Sequence, residues 1–409
     1  MHHVISSEKK PIKIWADTLD DNALDQAKNL ANLPFIHSHV ALMADSHLGY
    51  GMPIGGVIAT KDVVIPNAVG VDCGCGMIFT KTNIPVSSVR DVVQEHNTTL
   101  LHLMTDKVKR IIPLGFSKHK MPQEWSGFQT APDTRLIQDN LENAALSLGT
   151  LGGGNHFIEF QSSEDGMLCL MIHSGSRNLG KQICDYYNKK AKELNKKWNS
   201  SVDPSHDLAF LPIGETATEE YLDAMTFALR FASMNRTLMM ERLKSLVFNL
   251  VEKYHGDMVF ETTMSHNVHH NYAALEKHYG QNVWVHRKGA TSARAGEYGI
   301  IPGSQGTKSY IVIGKGNRES FTSCSHGAGR LMGRNKAREF LNLDSERQKL
   351  DDLGVIHSLG SKNDLDEAPG AYKDIAKVMA NQADLVSIEM VLTPLAVVKG
   401  PGKQKRKKK

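Results

Sequence analysis

Residues able to bind a metal or carry a reactive group fall in five short clusters, and each cluster suggests its own chemistry. Asp72-Cys73-Gly74-Cys75-Gly76 sets a carboxylate and a thiol three residues apart among glycines, so a tight backbone can aim both at one point. Taken alone, such a stretch also fits a glycine turn beside a buried cysteine, since free cysteine is commonly a small core residue. His156 follows the glycine run 152–154, and His173 opens His173-Ser174-Gly175-Ser176-Arg177. Between them, two apolar runs flank Glu164-Asp165-Gly166, which reads as a hairpin turn. A register centred near 164–165 sets His156 opposite or beside His173, so two imidazoles converge from neighbouring strands.

Ser265-His266-Asn267-Val268-His269-His270-Asn271 is too rich in imidazole and amide for ordinary core. Adjacent residues of an extended chain face opposite ways, so one of His269 and His270 points into a given site, and spacing does not choose between them. One Asp, one Cys and three His exceed a single tetrahedral ion and suit two ions sharing a thiolate. Ligand softness by itself favours zinc or iron.

Ser323-Cys324-Ser325-His326-Gly327-Ala328-Gly329-Arg330 places a histidine before a small-residue turn, where backbone N–H groups form an anion nest and Arg330 adds a phosphate fork. Basic, glycine and hydroxyl residues alternate from Arg287 to Gly296 and from Ile301 to Ser309, as expected where polyphosphate is held. The second stretch fails as a P-loop because Thr307, not Lys, follows Gly306.

The elements that must position these clusters are short and mixed. Apolar runs at 40–43, 63–65, 168–172, 283–285 and 310–313, bounded by Gly, Pro and Asp, predict buried strands. Helical spacing is expected over 88–104, 133–148, 181–198, 371–392 and, most regularly, 218–254, whose Met-rich stripe reads as core packing. No repeat or long linker interrupts the chain, and the clusters run from Asp45 to Lys399, so one interwoven α+β domain over 1–400 is expected.

Bulk composition bounds the rest. The 409 residues are 41% hydrophobic and 22% charged, enough for a large core, and no apolar run reaches the ~20 residues of a membrane span. Five cysteines without disulfide spacing fit a reducing compartment, and the expected location is the cytoplasm. The net charge of +4 is a poor sign of nucleic acid, because Lys403, Lys405, Arg406, Lys407, Lys408 and Lys409 supply six of 48 positive charges. Without them the body carries 42 minus 44, or −2. Residues 401–409 read as a basic, solvated tail.

These segments, in order, resemble the signature blocks of the RtcB RNA ligases. The blocks are Met43-Ala44-Asp45-Ser46-His47-Leu48-Gly49, Val69-Gly70-Val71-Asp72 with Gly74-Cys75-Gly76, residues 154–159, 173–177, 269–271, 294–304 and 325–330. The likeness spans about residues 33–399. It implies packed β-sheets around a central metal cleft, flanked by helices. It further implies a GTP- and Mn(II)-dependent ligase, with two Mn(II) ions in place of zinc or iron. Such an enzyme joins an RNA 3′-phosphate or 2′,3′-cyclic phosphate to a 5′-hydroxyl, in RNA repair or tRNA splicing.

By that resemblance, Asp72, Cys75, His156, His173 and His270 match the metal ligands, Cys75 bridging, and His270 is selected over His269. His326 matches the histidine that takes GMP, with Asp45 orienting it. Guanylate contacts match Asn155, His156, Phe157, Ile158, Glu159, His270, Asn271, Pro302, Gly303, Ser304, Gln305, Ser309, His326, Gly327, Ala328, Gly329, Tyr372 and Lys399. Arg177 and Arg330 match RNA phosphate contacts. Partners implied are RNA ends and an archease-type activator. The chain departs from the family pattern at Ala44, Ser46, Cys73, Asn178 and Gln305, which keeps a divergent paralogue in view. The rival classes are a dinuclear phosphoesterase that hydrolyses RNA ends without joining them and a non-catalytic RNA-binding protein.

Overall fold

Two antiparallel-rich sheets are built side by side, and the chain crosses between them at His270. The computed structural model describes residues 1–256 and 259–400; the basic tail at 401–409 lies outside the described residues. The first sheet has six strands in the order His3–Ile5, Ile12–Ile14, Ile36–Tyr50, Met52–Thr60, Gln281–Lys288 and Asn271–His278. The second has seven, in the order Thr262–His269, Gly76–Pro85, Met167–Ser174, Phe157–Ser163, Val386–Lys399, Ser309–Gly314 and Tyr298–Ile301. Its two edge strands approach one another, with His266 stacked on Tyr298 at 4.1 Å between ring centroids, so this sheet is nearly a barrel. Among the described residues, no helix is long and apolar enough to cross a membrane.

The helix Thr216–His255, 40 residues long, packs its apolar stripe against the second sheet. Met239, Leu243 and Val247 are fully buried there with Ile158, Phe160 and Leu170. Each such side chain contributes roughly 1.5–3 kcal/mol by leaving water. The same helix covers a second core with Phe227, Ala228 and Phe231 beside Ile183 and Tyr187 of the helix Leu179–Lys197.

All five predicted strands lie in or overlap observed strands, although 63–65 forms only the two-residue Val63–Val64, paired with Leu211–Pro212. Three helical expectations change. The stretch 88–104 is broken: Val86–Arg90 ends, a small hairpin of Val92–Val93 and Thr98–Thr99 intervenes, and Leu100–Ile111 starts anew. Asn97 takes a left-handed conformation at that turn, and the Thr99 hydroxyl accepts from His102 N–H, capping the new helix. The stretch 133–148 divides into Arg135–Gln138 and Leu141–Ser147.

The stretch 371–392 keeps one helix, Ile375–Asn381, and then becomes the interior strand Val386–Lys399. Short apolar runs fit either period, and pairing on both edges settles this one as a strand. Pro394 is tolerated where the register shifts between Pro394 and Ala396.

Candidate active site

Five candidate metal-binding side chains converge because turns and sheet ends deliver them to one buried place. Cys75 N–H donates to Asp72 carbonyl at 3.0 Å, closing a turn in which Gly74 has φ of 84°. A side chain at Gly74 would press on Ala228 and Ala232 of the long helix at 3.0 Å, so the glycine is required by both conformation and space. The hairpin register pairs Phe157 with His173, one residue from the expected centre. His156 therefore sits just before its strand, yet still faces His173 with ring centroids 5.2 Å apart. His270 occupies the single residue between strands of different sheets, and its N–H donates to Cys75 carbonyl at 3.0 Å.

The donor atoms form two groups sharing one sulfur: Cys75, His173 and His270, and Asp72, Cys75 and His156. Cys75 Sγ lies 3.5 Å from His156 Nε2 and 3.3 Å from His173 Nε2. His173 Nε2 is 3.4 Å from His270 Nε2, and His156 Nε2 is 3.4 Å from Asp72 Oδ2. Tetrahedral ligands at zinc-like bond lengths stand about 3.3–3.8 Å apart, so these separations fit divalent ions between them. Two of the three rings are also fixed in orientation. His156 Nδ1–H donates to Leu151 carbonyl and His173 Nδ1–H to Asn155 carbonyl, both at 3.0 Å, leaving each Nε2 as a lone pair.

Electrostatics favour neutral imidazoles and an ionised Asp72. Burial, with neighbouring histidines, pushes His173 and His270 well below the usual range. Burial opposes ionisation of Asp72, but His156 and Ser176 outweigh it and hold the carboxyl at about 2. The Cys75 thiol is pushed well up by burial and then by Asp72, with Arg236 opposing.

His326 stands beside this group, its ring 4.8 Å from that of His270. The strand Ser323–Ser325 brings it there by pairing with Ala290–Ser292. Asp45, fully buried on Ile36–Tyr50, accepts from His326 Nδ1–H at 2.7 Å, His326 N–H at 3.1 Å and Gly327 N–H at 3.3 Å. Burial alone would raise this carboxyl, and the His326 contacts lower it overall. The nest expected at 326–329 is thus turned toward the protein's own carboxylate. Gly329 is forced by φ of 70° and by the Asp45 carbonyl, 2.2 Å from where a Cβ would be.

A cavity of about 200 Å³ opens on His326, lined by His47, Asn155, Phe157, Glu159, Pro302, Gly303, Ser304, Gln305, Gly327, Ala328, Gly329, Arg330, Arg334, Glu367, Tyr372 and Lys399, among others. That is below the roughly 300–1,000 Å³ of a site enclosing a whole ligand, and suits one flat ring system with its substituents outside. Burial raises the Glu159 carboxyl to about 8, against the pull of Gln161 and Lys399. Ile158 alternates away into the core and is not among the residues that line the cavity. Ser309 lies behind the wall, its Oγ accepting from Gly303 N–H at 3.2 Å. Asn271 ties the site together, donating to Asp72 carbonyl at 3.0 Å and accepting from Gly289 N–H at 2.7 Å.

The two predicted phosphate-binding arginines sit in different places. Arg177 faces a larger groove that shares Gln305, Arg334, Glu367 and Lys399 with this cavity, and its Nε donates to Thr150 Oγ1 at 2.8 Å and its Nη2 to Gly115 carbonyl at 2.9 Å. Arg330 is turned inward, donating to the carbonyls of Asp366 and Met332 and lying over the Tyr372 ring. Of the departures from the family pattern, Asn178 sits at φ of 73°, which asparagine tolerates, and Cys73 is buried as an apolar residue. Gln305 donates to Glu367 carbonyl at 2.7 Å.

Two residues escaped the sequence reading. Arg236, fully buried on the long helix, donates from Nη1 to the carbonyls of Gly74 and Ser174 at 2.9 Å, and its Nη2 lies 3.1 Å from His269 Nδ1. Its signal was a cation four residues from Ala232 inside an apolar stripe. Glu367 is buried among Arg330, Arg334, Lys399 and Tyr372 and is held at about 2, burial being outweighed by those cations. Nothing in its local sequence marks it.

Comparison with known proteins agrees with the residues. A family model described as tRNA-splicing ligase RtcB matches residues 26–400. RNA-splicing ligase RtcB of Escherichia coli (strain K12) is 38% identical over 98% of this chain and 100% of its own length. tRNA-splicing ligase RtcB of Pyrobaculum aerophilum is 31% identical over 96% of this chain and 95% of its own length. RNA-splicing ligase RtcB of Mycobacterium bovis is 31% identical over 92% of this chain and 100% of its own. A match that runs nearly end to end, in a chain whose polar clusters meet at one buried site, leaves one assignment: the chain belongs to the RtcB family of RNA ligases.

Proposed function

We propose that this chain is a GTP- and Mn(II)-dependent RNA ligase that joins a 3′-phosphate or 2′,3′-cyclic phosphate end to a 5′-hydroxyl. The observation that carries this reading is His326: its Nδ1–H is held by Asp45 at 2.7 Å, and its ring stands 4.8 Å from that of His270 beside the cavity. A histidine fixed in this tautomer presents Nε2 as a nucleophile.

Asp72, Cys75, His156, His173 and His270 would hold two Mn(II) ions, which supply Lewis-acid charge for phosphate oxygens when bound. His326 Nε2 attacks the α-phosphorus of GTP, the bond to pyrophosphate breaks, and Asp45 stabilises the imidazolium side of the new phosphoramidate. An oxygen of the RNA 3′-phosphate then attacks that phosphorus and the N–P bond breaks, leaving RNA capped by GMP. Finally the 5′-hydroxyl attacks the RNA phosphorus and GMP leaves. A cyclic phosphate must first be opened by water.

The base would sit in the cavity between Phe157 and Tyr372. Guanine presents two adjacent N–H donors, which would offset the burial that keeps the Glu159 carboxyl protonated and favour its ionised form, whose two oxygens accept them. Residues 1–400 act as one ligase unit in this reading, working on RNA ends in the cytoplasm, with an archease-type activator as a candidate partner.

Incubation with α-labelled GTP and Mn(II) tests the reading. Label retained through denaturation, and lost in His326→Ala, supports it. Phosphate release from RNA ends without any label would replace it with hydrolysis.

A further inference from the structure

Outside the cavity runs a groove of about 1500 Å³, and its walls carry charge that the protein does not neutralise. Asp72, one of the five converging side chains, lines it. Arg177, Lys118 and Lys336 line it; among the described residues none of the three has a carboxylate partner, and Lys118 Nζ donates to the neutral Asn143 Oδ1. Arg177 Nε and Nη2 are bonded to Thr150 and Gly115, and its Nη1 has no hydrogen-bond partner among the described residues. Of the acidic residues on the same walls, Asp366 is paired with Arg334 and Arg338 and Glu367 with Arg334 and Lys399, while Asp364 accepts from Gly360 N–H, Ser361 N–H and the Ser361 hydroxyl.

On the rim stands Phe116, 74% exposed. A single exposed apolar residue ordinarily needs no explanation. This one is displayed from a pinned loop. Leu151 N–H donates to Pro113 carbonyl at 3.0 Å, Gly115 N–H to Gly152 carbonyl at 2.9 Å, and Ser117 N–H to Leu114 carbonyl at 3.1 Å. Arg177 takes the Gly115 carbonyl as well. The ring is therefore held in water by backbone fastened to the glycine run that carries His156.

An exposed aromatic face beside cations that no carboxylate neutralises is the combination that holds single-stranded nucleic acid: bases stack without regard to sequence while cations track the phosphates. The volume exceeds that of a site for one small ligand and has room for a few nucleotides. We propose that this groove takes the last unpaired nucleotides of the phosphate-bearing RNA end. Phe116 stacks a base, and Lys118 and Lys336 hold backbone phosphates. This rests on the ligase reading for the identity of the end, and on the groove alone for single-strand binding.

The test measures binding by fluorescence anisotropy, with a 5′-labelled single-stranded RNA ten-mer ending in 3′-phosphate. Phe116→Ala should weaken binding about tenfold, and Phe116→Trp should restore it. The double variant Lys118→Ala, Lys336→Ala should lower the salt dependence by about 1.4 in slope, whereas Phe116→Ala leaves the slope unchanged. A blunt hairpin bearing the same phosphate should bind more weakly and be insensitive to Phe116→Ala. Ten-mer affinity within twofold of wild type in Phe116→Ala overturns the stacking role, and equal losses on hairpin and ten-mer overturn the preference for unpaired ends. A wild-type protein that forms no guanylate adduct yet shows the expected pattern removes the ligase reading and leaves the groove. One that forms the adduct and shows no dependence on these residues does the reverse.

Discussion

Asp45 and His326 stand 281 positions apart in the chain, and the carboxylate oxygen lies 2.7 Å from the imidazole Nδ1. That contact sets the tautomer and leaves Nε2 free toward the cavity. Asp45→Asn keeps the size and loses the charge that, in the proposed reaction, balances the ring during phosphoryl transfer. The rate of adduct formation from α-labelled GTP should fall by at least about 100-fold, while the melting temperature changes by only a few degrees. An unchanged rate would separate Asp45 from the chemistry.

Metal content follows from the shared sulfur. Two Mn(II) per chain are expected in equilibrium dialysis followed by elemental analysis. His156→Ala should leave one, because Cys75, His173 and His270 remain as a group. Cys75→Ala should weaken both, since its sulfur belongs to each group. Loss of a single ion in Cys75→Ala would rule out bridging.

Arg236 holds the Asp72–Cys75 turn to the end of the strand Met167–Ser174. Arg236→Met removes the donors from two buried carbonyls and should cost about 3 kcal/mol in denaturant unfolding. Manganese affinity should fall about 10–100-fold with it. Arg236→Lys, which keeps charge but not the fork, should recover part of the stability.

Glu367 links acid stability to the cavity wall. Its folded value of about 2 lies below the ordinary 4.5, so its contribution is complete above pH 4.5 and is lost as pH falls towards 2. Glu367→Gln should lower stability by about 2 kcal/mol at pH 7, allowing for the partial exposure of Arg334. The gap between variant and wild type should close in thermal melts as pH falls through that window. A constant gap would mean that the carboxylate's charge contributes nothing.

What the sequence determined by itself was the chemical inventory and the points where the backbone must bend. Asp72, Cys75, His156 and His173 were legible because glycines and a hairpin turn constrain their neighbours locally, and the register came within one residue. Resemblance alone could choose His270 over His269 and pair Asp45 with His326. The tertiary structure supplies the cause in each case. His270 faces the other candidate ligands because the chain changes sheets there, whereas His269 lies against Arg236. Glu367, the strand at Val386–Lys399 and the groove under Phe116 depend on partners far away in sequence. Local spacing reports a residue's neighbours along the chain; burial, pairing and charge balance are set by neighbours in space, and only folding brings those together.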